Sequence, residues 1–220
     1  MADGLSLTDR IRGKLSWHYQ RDYIYRFSAL KGWTKLKFYR LIYPNFTVGD
    51  NPSIWGSFQV MMYDPTSSRI KIGRNLHMVS DAKRSGIGLF SPCKFTTMGE
   101  GTIALGDNIG INGLAITSTK RVEIGAGTIT APNCIIVDSD FHAPWPPDKR
   151  LSLDVGATNK EVIIGENVWL GLNVTVLKGS TIGNNSIIGA GSVVTGAIPP
   201  NVIAAGVPAK VIKPLGPSES

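Results

Sequence analysis

The chain has 220 residues, 42% apolar, 18% charged and 8% aromatic, with 25 glycines, 13 prolines and a formal charge of +7. That is material for one substantial core with a small appendage, and the small-residue bias favours an all-β or solenoid fold. No apolar run reaches the roughly 18 residues of a membrane span, and Met1-Ala2-Asp3-Gly4 opens no signal segment, so a cytoplasmic protein is expected.

The positive charge sits at the front. Residues 1–43 carry nine Lys/Arg against Asp3, Asp9 and Asp22, which leaves the remainder near neutral. Residues 7–43 are helix-compatible and aromatic-rich, with Trp17, Tyr19, Tyr23, Trp33, Phe38 and Tyr39. Residues 1–47 therefore read as a basic helical segment, one or two helices covering the open first coil of the domain that follows. The same residues also suit an interfacial anchor, cations attracting anionic headgroups while Trp and Tyr settle at the lipid boundary, so peripheral contact with the inner face of the cell membrane is a second expectation. No nucleic-acid motif accompanies the charge.

From residue 48 onward the pattern is periodic. Ile164, Leu170, Val176, Ile182, Ile188 and Val194 follow one another at intervals of six, with glycine often next and a small or β-branched residue at the fifth place (Val168, Val174, Ser180, Ser186, Ser192). Six is commensurate with the two-residue period of a strand and drifts against the 3.6 of a helix. Three such blocks make one coil of a triangular prism, aliphatic residues inside and Gly or Asn at the corners. Looser copies at Val48-Gly49, Ile72-Gly73, Leu105-Gly106, Ile111-Asn112 and Ile124-Gly125 extend the solenoid from about 48 to about 205, within a domain spanning 48–220.

Leu105 to Ile124 is one residue more than three blocks, and Ile124 to Ile164 is four more than six. The surplus points to an extruded loop near 140–160, where Pro144, Pro146 and Pro147 could not join a central ladder. Cys93 and Cys134 lack metal-ligand spacing and read as reduced core thiols.

Asn167-Val168-Trp169-Leu170-Gly171, Ile188-Gly189-Ala190-Gly191-Ser192-Val193-Val194-Thr195 and Ala205-Gly206-Val207-Pro208-Ala209-Lys210, in that order, resemble the hexapeptide-repeat acyltransferases, with galactoside, maltose and surface-polysaccharide O-acetyltransferases as nearest kin. The resemblance covers about residue 100 to the C-terminus. It implies a left-handed parallel β-helix with an N-terminal helical cap, a homotrimer with active sites between subunits, and acetyl-CoA or another acyl-CoA as donor. No metal is implied, and the acceptor is a sugar or surface-glycan hydroxyl.

By the same resemblance His142 is the catalytic base. An imidazole titrates near pH 6.5 in water and is mostly free base at pH 7, which suits removal of a hydroxyl proton. Asp138 or Asp140 would orient it, and the sequence does not choose between them. Asn112 aligns with an acceptor-binding asparagine, whereas Thr119 stands where galactoside-type kin carry an acid, a departure that weighs against a galactoside acceptor. Trp169 would flank the pantetheine arm, and the backbone amides of Gly171 and Leu172 would face the thioester oxygen. Ala190 and Thr195 would line the CoA groove, and Lys210 and Lys213 would meet its phosphates. An amino-sugar N-acyltransferase and a non-catalytic β-helix scaffold are the competing readings, because the fold alone does not determine function.

Overall fold

A computed structural model describes residues 26–151 and 158–216. The periodic aliphatics become ladders. Val48, Ile72, Leu105, Ile124, Ile164, Ile182 and Ile198 stack in parallel register, one per coil, along the first face of the prism. Phe95, Ile116, Ile136, Val176 and Val194 do the same along the third. All of these side chains are buried, and each such burial is worth about 1.5–3 kcal/mol.

Among the described residues the first face holds seven strands, from Phe46–Val48 to Ala197–Ile198. The second holds eight, from Ser53–Trp55 to Ala209–Pro214, and the third six, from Gln59–Met62 to Val193–Val194. This is the left-handed parallel β-helix expected from the repeat.

The corners follow the chemistry of their residues. Asn51, Asn75, Asn108, Asn167, Asn185 and Asn201 adopt left-handed φ values of 54–58° and 61°, which asparagine tolerates better than most residues. Their amides form ladders, with Asn75 Nδ2 2.8 Å from Asn108 Oδ1 and Asn185 Nδ2 2.9 Å from Asn201 Oδ1. The fifth-position serines are buried without cost in unpaired hydroxyls, because Ser180, Ser186 and Ser192 donate to the carbonyls of Val194, Pro199 and Gly189.

Ile124 and Ile164 are adjacent in the ladder, so the residues between them make one coil carrying one long loop. Two features fall outside the sequence reading. A second loop, over residues 81–92, leaves between the strands His77–Val79 and Lys94–Thr97 and escaped the phase analysis, which tested only the spacings after Leu105. The chain also ends in a hairpin: Val202–Gly206 pairs antiparallel with Ala209–Pro214.

Residues 26–42 are helical and lie across the open first coil. Leu36 and Tyr39 join the core, Tyr39 Oη donates to the Phe58 carbonyl at 3.3 Å, and Gly56 N donates to Ser28 O at 2.9 Å. A Cβ on Gly32 would stand 2.5 Å from Ile54 O, so glycine is what permits this approach. The helix is thus the expected cap, while the part of the 7–43 expectation that falls on residues 7–25 lies outside the described residues.

Candidate active site

The loop that carries His142 leaves the corner after the strand Ile135–Val137. Asp138, the first residue out, is fully buried and accepts four hydrogen bonds. Ser118 Oγ and Lys120 N donate to Oδ2 at 2.7 and 2.9 Å, and Thr119 N and Oγ1 to Oδ1 at 2.7 and 2.9 Å. This carboxylate fastens the base of the loop to the preceding coil. Thr119 supplies two of the four donors, its amide and its hydroxyl.

Asp140 is paired with Lys178 Nζ, which also donates to the Thr158 carbonyl at 3.0 Å. Phe141 adopts a left-handed φ of 61°, with its amide held by Ser139 Oγ at 2.9 Å, and this turns the chain so that His142 stands out in solvent. The His142 Nδ1 lies 2.6 Å from the Arg150 carbonyl. The expectation that Asp138 or Asp140 orients the imidazole is therefore corrected: both carboxylates are engaged elsewhere, and a backbone carbonyl takes that place.

The remaining candidates lie on other surfaces. Asn112 ends a strand of the second face, at the corner that leads to the third, and its Oδ1 is buried without a hydrogen-bond partner among the described residues. Gly171 and Leu172 occupy the same corner two coils later, with Ala190 stacked next: Gly191 N donates to Leu172 O at 2.7 Å. Trp169 is half exposed on the second face, between Ile129 and Ile187.

The two amides assigned to the thioester oxygen differ. Gly171 N is committed to Ile188 O at 2.8 Å, so it cannot serve, whereas among the described residues no acceptor takes the Leu172 amide. What Gly171 supplies is clearance, since a Cβ there would meet Ala190 N at 2.7 Å. Thr195 and Lys210 line one pocket of about 200 Å³ at the C-terminal end, with Gly196, Ala197, Ile198, Ala209 and Val211. Lys213 is exposed on the hairpin, opposite Ile203.

Within one chain these groups form two separate clusters. His142 stands at the corner after the third face; Asn112, Leu172 and Ala190 stand at the corner before it. The third face between them is about 15 Å wide at roughly 3.3 Å per strand residue.

Both cysteines are free and buried, and burial pushes each thiol up to about 11. Neither is a nucleophile at neutral pH. Among the described residues no three of His, Cys, Asp or Glu are placed to share a metal ion.

A left-handed β-helix with an extruded histidine loop defines the chain as a hexapeptide-repeat transferase. The bacterial transferase hexapeptide (six repeats) family model matches residues 161–196. WbbJ of Escherichia coli K12, which carries the name lipopolysaccharide biosynthesis O-acetyl transferase, is 42% identical over 141 residues, 59% of this chain and 67% of that one. The galactoside O-acetyltransferase of the same organism is 41% identical over 114 residues, 51% of this chain and 54% of its own length; the match therefore spans about half of that relative.

The solved galactoside acetyltransferase in complex with coenzyme A superimposes with a TM-score of 0.51 at 30% identity, covering 86% of this chain and 81% of that one. AntD, an N-acyltransferase from Bacillus cereus, gives a TM-score of 0.58 at 19% identity over 80% and 87% of the two chains, a likeness of fold alone. The chain belongs to the hexapeptide-repeat acyltransferase family.

Proposed function

We propose that the protein transfers an acyl group, acetyl in the simplest case, from coenzyme A to a hydroxyl of a sugar or surface glycan. The observation that carries this reading is the presentation of His142. Its Nδ1 is bonded to the Arg150 carbonyl on an extruded loop, in a chain whose relatives are named O-acetyltransferases.

A carbonyl oxygen only accepts, so Nδ1 carries the hydrogen and Nε2 presents its lone pair outward. Nε2 takes the acceptor's hydroxyl proton as the oxygen attacks the thioester carbon. The Leu172 amide faces the developing oxyanion, and the tetrahedral intermediate collapses with departure of the CoA thiolate, which receives the proton. Asn112 Oδ1 accepts from an acceptor hydroxyl, Trp169 flanks the pantetheine arm beside Ala190, and Thr195, Lys210 and Lys213 hold the distal part of CoA.

Because His142 and the Asn112–Leu172 corner are apart in one chain, the working site combines protomers of a homotrimer. The outward residues of the third face over the middle coils, Ala115, Thr117, Ile135, Val137, Thr175 and Val193, are all uncharged, as a buried contact between subunits requires. The second face is similarly poor in charge, and a third-face to second-face contact is heterologous and closes into a ring. No helix of the described residues is long and apolar enough to cross a membrane. We place the protein on the cytoplasmic side, with peripheral contact through residues 7–43.

The test is free-thiol release from acetyl-CoA with a panel of sugars, amino sugars and glycan fragments. Hydroxyl-dependent release supports the proposal. Release with amines alone would replace it by N-transfer, and failure to bind CoA in calorimetry would end it.

A further inference from the structure

The cap helix spends one face on the prism and leaves the opposite face apolar. Ser28, Gly32, Leu36 and Tyr39 form the inner stripe, at helical spacing. On the far side Phe27, Leu30, Phe38 and Leu41 are between 48% and 85% exposed, with Trp33 at their border. Exposed apolar side chains gathered on one side of a helix, with Thr34 among them, mark an interaction surface.

The charges say which kind. Residues 26–42 contain Arg26, Lys31, Lys35, Lys37 and Arg40 and no acidic residue. Lys31 Nζ lies 4.6 Å from the Phe27 ring centre and Lys37 Nζ 3.7 Å from that of Trp33, so the ammonium groups flank the apolar ridge. Two copies of this face would bring like charges together. An anionic lipid surface satisfies both halves of the pattern, headgroups meeting the cations and the acyl boundary taking the ridge.

We infer that the outer face of helix 26–42 docks the protein end-on upon anionic lipid. Given the site roles proposed above, on which this part rests, the docking also orients the groove. Strand spacing of about 4.8 Å puts Asn112, in the third coil, about 10 Å from the capped coil and Trp169, in the fifth, about 20 Å. Lys210 and Lys213 lie at the opposite end. The acceptor end faces the bilayer and the donor end faces away, which fits a lipid-carried glycan long enough to reach past the cap helix to the site.

The experiment is sedimentation of the full chain with phosphatidylcholine vesicles, with and without phosphatidylglycerol. Calorimetric CoA binding and transfer to a soluble glycan fragment are measured in parallel. Binding to the anionic vesicles is expected, weakened by salt and at least about tenfold weaker for Leu30→Ser/Leu41→Ser and for Lys31→Glu/Lys37→Glu, since each cation near the surface counts for roughly fivefold. CoA binding and soluble transfer stay intact in these variants.

Absence of wild-type binding to anionic vesicles, or equal binding by the variants, overturns the inference. So does a change of assembly mass in light scattering for Leu30→Ser/Leu41→Ser, which would show the ridge to be covered by another copy. Docking without any transfer or CoA binding would sink the acyltransferase reading and leave the lipid surface standing.

Discussion

The Nδ1 of His142 lies 2.6 Å from the carbonyl oxygen of Arg150, eight residues further along the same loop. This contact selects the tautomer that leaves Nε2 basic, with no carboxylate needed. His142→Ala is expected to lower kcat by about 100- to 10,000-fold, the usual worth of a general base, with CoA affinity unchanged in calorimetry. A variant that retained kcat would remove the base from the mechanism.

Asp138 and Asp140 separate into different kinds of residue. Asp138→Ala strands four donors around a fully buried site and is expected to cost about 3 kcal/mol or more in denaturant unfolding. The half-exposed Asp140–Lys178 pair predicts at most about 1 kcal/mol for Asp140→Ala. Equal losses in the two variants would refute this division.

Thr195 and Lys210 share one pocket, so Lys210→Glu should weaken CoA binding by about tenfold or more through loss of a phosphate contact and gain of repulsion. The pantetheine fragment alone should bind both proteins equally. If CoA affinity is unmoved, this pocket does not hold the nucleotide.

Asn112 carries a buried Oδ1 with no partner among the described residues. On the proposed acceptor-binding role of this oxygen, Asn112→Ala is expected to raise the acceptor KM while leaving the KM for acetyl-CoA alone. A change confined to the donor KM would move Asn112 to the other substrate.

The buried thiols of Cys93 and Cys134 titrate near 11, above the ordinary 9.0. A folded pKa above the unfolded one means stability is complete below pH 9 and declines as pH rises towards 11, because only the unfolded chain releases the proton in that window. Replacing both with alanine should flatten that decline in unfolding curves. Thiol reagents should leave the native protein unlabelled at neutral pH and label it twice when unfolded.

The prism was legible because its signal is one-dimensional. A six-residue period in Ile, Leu and Val, with Gly or Asn between, leaves little choice of backbone, and each ladder residue meets its own equivalent one coil away. The loop bearing His142 was legible as a break in that period. The loop over 81–92 and the terminal hairpin were not, since neither repeats, and Pro92 and Pro208 within them mark a break without saying how long it runs.

Partner choice was beyond the sequence for the same reason. Asp138, Asp140 and the backbone of Arg150 all lie within eight or so residues of His142, and local spacing ranks none above another. The tertiary structure decides: Asp138 turns inward because the amides of Thr119 and Lys120, from the coil before, converge on it, and Asp140 turns to Lys178 in the coil after. Sequence by itself determined the solenoid, its phase and the identity of the loop histidine, all set by residues near one another or repeated in step. Only the folded chain decided which groups hold that histidine, that no acceptor takes the Leu172 amide among the described residues, and which face of the cap helix packs on the prism, because each depends on contacts that no local pattern records.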